Sequence, residues 1–160
     1  DVLEQQRQAF GSEDPDTLSS LNNLQGLYYL SKRYADALPV ATEVFERRRR
    51  SLASDHPDLF TAQHNLAAIL FQLRREEEAE ALVGGALEGR RRVIGRRHSG
   101  TLRTWELYAD ILAARGREAD ATKEYQAILD EIGGDDEPPY PAIRVEISER
   151  LRNRGTTGRR

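Results

Sequence analysis

The sequence contains no cysteine, which excludes disulfide bonds and thiolate metal sites. It also lacks an apolar run of the length needed for a membrane span or a signal peptide. The net charge of −3 is too small to require nucleic acid or an anionic lipid surface as a partner. We therefore expect a cytoplasmic protein without a membrane partner. The first residue is Asp1 rather than methionine, which indicates a piece of a longer chain.

One apolar pattern occurs three times along the chain. The stretches SLNNLQGLYYLSKRYADAL, AQHNLAAILFQLRREEEAE and TWELYADILAARGREADAT begin at positions 20, 62 and 104, so they are 42 residues apart. Fixed periods of about 20–50 residues are typical of repeat arrays. A single amphipathic helix pair cannot bury this apolar surface, whereas stacked pairs can. We therefore predict an all-α solenoid of antiparallel helix pairs.

The period divides the chain into units of two helices each. We place the second helix of a preceding repeat at 1–12 and full repeats at about 13–54, 55–96 and 97–132. Within each unit, apolar residues recur at helical spacings of three and four. The breaks between paired helices are predicted at SKR (31–33), RRE (74–76) and RGR (115–117).

Small residues recur where the two helices of a pair must approach closely. These are Ala37, Ala79 and Ala121. The larger side chains Leu24, Leu27 and Tyr28, and their equivalents in the other units, are expected to fill the seam beside them.

Helix ends carry their own signals. Asp14 is a candidate cap, and Pro15 suits a first helical turn because its missing N–H would be unpaired there. Gly116 is a candidate C-cap, because glycine takes a left-handed conformation without steric cost. His56 and His98 stand one period apart between repeats, so we interpret them as elements of the repeat rather than as metal ligands.

The last segment breaks the pattern. Residues 133–153 are predicted to form a loop, GGDDEPPYP, followed by a capping helix with Ile143, Ile147 and Leu151 at spacings of four. The alternative is the first helix of a fourth, truncated repeat. Residues 154–160 are expected to be a disordered tail.

These patterns resemble the tetratricopeptide repeat. The spacing from Leu24 through Tyr28 to Ala37 is similar to the core pattern of that family, and Trp105 and Tyr125 stand where it often carries aromatic residues. The strings DPDTLSSLNNLQGLYY and DHPDLFTAQHNLAAIL resemble the 42-residue variety found in kinesin light chains and many bacterial proteins. The resemblance implies a right-handed superhelix whose first helices line a concave groove that binds peptides or partner proteins.

The resemblance also implies which side chains face that groove. They are Ser19, Asn22, Asn23, Gly26, Tyr29 and Leu30 in the first unit, Thr61, His64, Asn65, Ala68, Phe71 and Gln72 in the second, and Arg103, Glu106, Leu107 and Asp110 in the third. Asparagine amides can bond both the C=O and the N–H of an extended peptide. The predicted ligand-binding residues are Asn22, Asn23, Tyr29, His64, Asn65, Phe71 and Arg103. Alternatively, the asparagines bond only a neighbouring helix, and Arg103 pairs with Glu106 and Asp110 along its own helix.

Arginines cluster at the ends of the second helices, as RRRR at 47–50 and RRR at 90–92. One interpretation is a solvated helix end, where arginine complements the helix dipole and packs its stem on a neighbour. The other is a docking edge for an acidic partner, formed by Arg48, Arg49, Arg91 and Arg92. Nucleic acid is not expected, because aromatic residues are not interleaved with the arginines.

No motif for catalysis occurs: the chain has no phosphate-binding loop, no His-Glu-x-x-His and no nucleophile elbow. We expect neither an enzyme nor a site for a metal, cofactor or small-molecule substrate. The favoured hypothesis is a scaffold that binds a peptide or partner domain. The alternative is a sensor or regulatory segment of a larger signalling protein, for example a signalling ATPase. End-to-end association of arrays is a third possibility, because the first residues of a truncated array leave an apolar end uncovered.

Overall fold

The computed structural model describes residues 15–134 and 139–157, which form seven α-helices and no strand. The helices are α1 (Pro15–Leu30), α2 (Tyr34–Ser51), α3 (Pro57–Gln72), α4 (Glu76–Val93), α5 (Ser99–Ala114), α6 (Glu118–Ile132) and α7 (Tyr140–Thr157). The chain divides between Ala86 and Leu87 into two compact units, called unit 1 and unit 2 below. The helix predicted at 1–12 and the Asp14 cap lie outside the described residues.

The helix bounds agree with the predicted repeats. The pairs α1–α2, α3–α4 and α5–α6 fall within 13–54, 55–96 and 97–132. Within unit 1, α2 packs against both α1 and α3; within unit 2, α6 packs against both α5 and α7. None of the described helices is both long and apolar enough to cross a membrane.

The first helices begin with recurrent caps. Helices α1 and α3 both start at a proline, as the sequence indicates. The imidazole Nδ1 of His56 accepts a hydrogen bond from the backbone N–H of Asp58, at 3.1 Å. At the start of α5, His98 accepts from the N–H of Gly100 at the same distance. Each imidazole therefore satisfies one of the N–H groups that a helix start leaves unpaired, which explains why these histidines recur one period apart.

Each helix pair turns through a residue with a left-handed backbone. These residues are Lys32 (φ 57°), Arg74 (φ 61°) and Gly116 (φ 76°), again 42 positions apart. The following N–H groups, of Arg33, Arg75 and Arg117, donate to the carbonyls of Tyr28, Leu70 and Leu112 at 2.8, 3.0 and 2.9 Å. This is the bonding of a Schellman C-cap, which confirms the role predicted for Gly116. The break in the second repeat is 73–75, one residue before the predicted 74–76, because Glu76 already belongs to α4.

The seam between paired helices is closed by the predicted alanines. Ala37, Ala79 and Ala121 are each fully buried. The prediction for Leu27 is wrong: its side chain is 61% exposed, whereas the equivalent Ile69 and Ile111 are 1% and 0% exposed. Ile69 lines the cleft between α1 and α3, so this position faces the first helix of the preceding repeat. Among the described residues no first helix precedes α1, so Leu27 has no such neighbour.

Helix α7 closes unit 2 as a capping helix. Ile143 and Ile147 are fully buried in one core cluster with Trp105 and Tyr125. The helix stands in the register of a first helix, since Ile147 lies 42 residues after Trp105. It extends to Thr157 and so includes the first residues of the segment 154–160 that was predicted as a disordered tail, while residues 158–160 lie outside the described residues. Glycine within the last turns weakens a helix but, unlike proline, does not by itself end it.

Candidate functional site

A cleft of about 310 Å³ lies between α1 and α3, inside unit 1. Nine residues line it: Asn22, Gln25, Gly26, Tyr29 and Leu30 from α1, and His64, Asn65, Ala68 and Ile69 from α3. Spacings of three and four residues place each set on one helix face. Seven of these nine residues belong to the groove face implied by the sequence.

Two amides of the cleft have unused hydrogen-bonding groups. The Nε2 of Gln25 donates to the Oδ1 of Asn22 at 2.7 Å, so the amide nitrogen of Asn22 is left to donate elsewhere. Within the part of the chain that the structure describes, the side chain of Asn65 makes no hydrogen bond. The cleft therefore offers both donors and an acceptor to a ligand.

Tyr29 forms a fixed, neutral part of the wall. Its ring meets the ring of Tyr34 edge to face, with centroids 5.4 Å apart. Burial raises the pKa of Tyr29, and the nearby Tyr34 raises it further, while a hydrogen bond with the Gln72 side chain lowers it. The phenol stays protonated at neutral pH because its pKa lies above the ordinary value of about 10. Edge-to-face packing and a hydrogen bond together restrict the ring to one orientation.

The structure brings together only part of the predicted ligand-binding set. Asn22, Tyr29, His64 and Asn65 line the cleft. Asn23, the equivalent of Asn65 one period earlier, is exposed and is not among the residues that line the cleft. Phe71 is half-buried on α3 and does not line this cleft, and Arg103 belongs to unit 2.

Two lining residues were missed by the sequence interpretation. Gln25 is only 3% exposed, and its bond to Asn22 orients that amide. The spacing of three residues between Asn22 and Gln25 was the signal that could have identified it. Ile69 was assigned to the seam, but it also forms part of the cleft.

The corresponding place in unit 2, between α5 and α7, holds a network of charged side chains. Arg103 pairs with Glu106 at 3.0 Å, as expected, and also with Glu146 of α7 at 2.5 Å. The expected pairing of Arg103 with Asp110 is not what the structure shows, because Arg150 of α7 takes both Asp110, at 2.9 Å, and Glu106, at 2.8 Å. Arg103 is therefore engaged in ion pairs within unit 2, and its predicted role in ligand binding stays a prediction.

Burial and ion pairing act in opposite directions on the two glutamates of this network. Burial raises the pKa of Glu106, although Arg150 and Arg103 both act to lower it. The hydrogen bond from Arg103 lowers the pKa of the more exposed Glu146.

The arginines of the predicted docking edge mostly have partners among the described residues. Arg48 donates to the backbone carbonyl of Asp58 at 3.1 Å, and Arg49 pairs with Glu46 at 2.7 Å. These contacts join the end of α2 to the start of α3 and to its own preceding turn.

In unit 2, Arg91 lies over the Trp105 ring, 4.1 Å from its centroid, and pairs with Glu88 at 2.8 Å. Arg96 also approaches this ring, at 4.9 Å. Arg92 is exposed. Cation–π contacts and stem packing account for much of the cluster, which supports the interpretation as a solvated helix end. A docking role for these arginines stays a prediction.

Across residues 15–134 and 139–157, no three acidic or histidine side chains form a group suited to a metal ion.

The period, the Schellman turns and the paired helices are matched by known proteins. A tetratricopeptide repeat family model matches residues 26–84 and 58–130, which together cover more than half of the chain. The chain belongs to the tetratricopeptide repeat family. No curated protein matches it.

Solved structures give the same fold. Crystal structures of nearly identical TPR-like repeats from a putative kinesin light chain of Podosopora anserina, one of them a point variant, share 19% identity with this chain. Their TM-scores are 0.78 and 0.79, and each alignment covers 99% of this chain and 84% of the solved one. The crystal structure of BtubC (BKLC) from P. vanneervenii matches with a TM-score of 0.68 at 18% identity, covering 89% of this chain and 61% of that one. The predicted all-α repeat fold of the kinesin-light-chain-like variety is thereby confirmed.

Proposed function

We propose that this chain is a protein–protein interaction scaffold whose cleft between α1 and α3 binds an extended peptide or an extended segment of a partner protein. Tetratricopeptide repeats generally mediate interactions between proteins, and proteins of this kind are generally not enzymes. The proposal therefore concerns binding without catalysis. The cytoplasmic location and the alternative role in a larger signalling protein stay predictions.

The observation that carries the proposal is the unbonded amide of Asn65 opposite the oriented amide of Asn22. An extended peptide presents a carbonyl and an N–H that such amides can bond together. Asn22 and Asn65 are only half-buried, so water bonds their amides in the free chain, and each hydrogen bond that a ligand makes in place of water contributes about 0.5–1.5 kcal/mol. The rigid ring of Tyr29 adds contact area without a large loss of side-chain freedom.

The test is selection of peptides from a random phage-displayed library, followed by calorimetric titration of the selected peptides. We expect the double variant Asn22→Ala plus Asn65→Ala to bind about tenfold more weakly, since two hydrogen bonds of about 0.5–1.5 kcal/mol are lost. Asn23→Ala is the matched control, because Asn23 has the same residue type and repeat position as Asn65 but lies outside the cleft. Circular dichroism must show equal helicity in all variants.

Equal binding by the wild type and the double variant would place the ligand elsewhere, with the exposed arginine edge as the first alternative. A loss in the Asn23→Ala control as large as in the double variant would likewise contradict the assignment to the cleft.

The exposed face of α1 favours a second candidate, association of two copies of this chain. Leu27 is 61% exposed at a position where the other two repeats bury an isoleucine. Burying such a side chain against a second copy is worth about 1.5–3 kcal/mol. Light scattering over a range of concentrations should show a rise in mean mass for the wild type that Leu27→Asp abolishes. A constant monomer mass for the wild type would rule this candidate out.

A further inference from the structure

The lining of the cleft between α1 and α3 contains no carboxylate, lysine or arginine. Apart from the His64 imidazole, its polar groups are three amides and a phenol. Taking the cleft as the binding site of the proposed function, we infer that its ligand is an uncharged peptide segment. One aliphatic or aromatic side chain of the ligand enters the cleft, and its flanking peptide groups bond Asn22 and Asn65.

The size of the cleft sets how much of a ligand it holds. A volume of about 310 Å³ is at the lower end of the range of pockets that enclose small molecules, about 300–1,000 Å³. It is too small for a structural element of a folded partner and suits one large side chain with the peptide groups on either side. Extended peptides place alternate side chains on the same face, so only one of each neighbouring pair points into the cleft.

The floor of the cleft leaves space for an apolar side chain. A Cβ built on Gly26 would meet no atom within 4 Å apart from its chain neighbours and its own helix backbone, so no other helix packs closely against this glycine. Across from it, Ala68 contributes only a methyl group and Ile69 an apolar surface. Leu30 stands at the rim with its side chain 82% exposed. Covering these apolar groups supplies the free energy of binding, at about 25 cal/mol per Å² removed from water.

A charged side chain would meet no carboxylate, lysine or arginine in the lining of the cleft. Burial of an ionised group without a counter-charge costs several kcal/mol, whereas an aliphatic group gains from the same transfer. The preference for uncharged residues therefore follows from what the lining lacks as much as from what it contains.

The inference is tested with capped peptides of the form acetyl-Ala-Ala-X-Ala-Ala-amide, where X is leucine, phenylalanine, glutamate or lysine. The full chain, labelled with ¹⁵N, is titrated with each peptide at pH 7 and its backbone amide shifts are followed. For leucine and phenylalanine we expect saturable shifts at Gly26, Asn65 and Ala68, with an affinity at least about tenfold higher than for glutamate or lysine.

Two variants locate the effect. Gly26→Leu places a side chain in the cleft and should abolish the saturable shifts; its Cβ meets nothing within 4 Å outside its own helix backbone and chain neighbours, and the ¹⁵N spectrum away from the cleft must remain that of the wild type. Gly84→Ala is the matched control: it also replaces a helical glycine whose Cβ would meet nothing within 4 Å, but it lies outside the cleft. That variant should bind like the wild type.

The outcomes separate this inference from the proposed function. Equal or tighter binding of the glutamate or lysine peptide at the same amides would overturn the inference while supporting the cleft as a binding site. Saturable shifts of the leucine peptide that survive in Gly26→Leu would overturn both. If no capped peptide produces saturable shifts at these amides, the inference is overturned, and the proposed function is then decided by the library-selected peptides alone.

Discussion

The α1–α3 cleft of unit 1 and the α5–α7 contact of unit 2 are built on the same repeat positions but differ in charge. Asn22 and Gly26 of α1 correspond to Glu106 and Asp110 of α5, which stand two periods later in the sequence. In unit 1 the result is a cleft with an unbonded amide; in unit 2 it is a closed set of ion pairs.

The helices on the other side of the two contacts, α3 and α7, also differ in charge. Ala62 and Leu66 of α3 are buried, whereas their equivalents in α7 are Glu146 and Arg150, which pair with α5. A side chain at such a repeat position is thus available to bind a ligand only where the neighbouring first helix supplies no partner for it. This difference is why we propose unit 1, and not unit 2, as the part of the chain that binds a ligand.

The largest effect is expected where α7 enters the core of unit 2. Ile147→Ala removes a fully buried side chain and should lower the free energy of unfolding by about 2–5 kcal/mol. Val145→Ala on the same helix is the matched control: its side chain is 57% exposed, and the change should stay within about 0.5 kcal/mol. Urea denaturation followed by circular dichroism measures both. Equal effects would show that α7 is not packed as a cap.

The next largest effect is expected when the charged contact between α5 and α7 is broken. Arg150→Ala leaves Glu106, which is 5% exposed, with Arg103 alone, and leaves Asp110 with the hydroxyl of Tyr125. Because Arg150 is partly exposed, we expect a loss of about 1–2 kcal/mol rather than the full cost of a buried pair, and this loss should shrink at high salt. Arg152→Ala, an exposed arginine two positions along, should change stability by less than about 0.5 kcal/mol. A loss of stability for Arg150→Ala no larger than for Arg152→Ala would show that the ion pairs of Arg150 do not stabilise unit 2.

The turns differ between the units as well. Unit 1 places Lys32 and Arg74 in the left-handed region, where unit 2 has Gly116. Gly116→Ala should therefore cost about 1 kcal/mol, while Lys32→Gly should be neutral or slightly stabilising, because relief of strain is offset by greater freedom of the unfolded chain. Thermal unfolding of both variants checks this, and a stabilising Gly116→Ala would contradict the Schellman assignment.

The smallest effect concerns pH, and the two glutamates of unit 2 act in opposite directions. Because the pKa of Glu146 is lowered in the folded chain, its contribution to the free energy of unfolding is present at pH values above its pKa in the unfolded chain, about 4.3. That contribution is lost as the pH falls through its folded pKa. The raised pKa of Glu106 means that its contribution is present below that value and is lost as the pH rises through its folded pKa.

Midpoints of urea denaturation measured between pH 3 and pH 7 test both glutamates. We expect each variant to change the slope of stability against pH. Glu146→Gln should flatten the loss of stability on the acid side, and Glu106→Gln should flatten a loss on the neutral side. Parallel pH profiles for the wild type and both variants would contradict the assigned directions.

The sequence period was enough to predict the helix pairs, because proline starts and buried alanines such as Ala37 recur at one interval. Much of the cleft was predicted as well, since Asn22 and Asn65 follow from the family's groove face. The partners of charged side chains were not predictable in this way. The choice of Arg103 between Asp110 and Glu146 depends on where α7 lies, 40 or more residues away, and no periodicity contains that information.

The exposure of Leu27 escaped prediction for a related reason. An apolar residue at a repeat position is buried only if its neighbour is present, and the pattern itself does not specify the neighbour. The position of Asn23 was also not predictable from the period: it matches Asn65 in register but does not line the cleft.

The most direct test of the central claim is to map where a library-selected peptide binds on the ¹⁵N-labelled chain. We expect the largest amide shifts to cluster at Asn22, Gly26, Asn65 and Ala68, and the shifts of Arg103 and Asp110 to stay unchanged. Largest shifts along the exposed arginines, at Arg49 and Arg92, with the cleft amides unmoved, would contradict it.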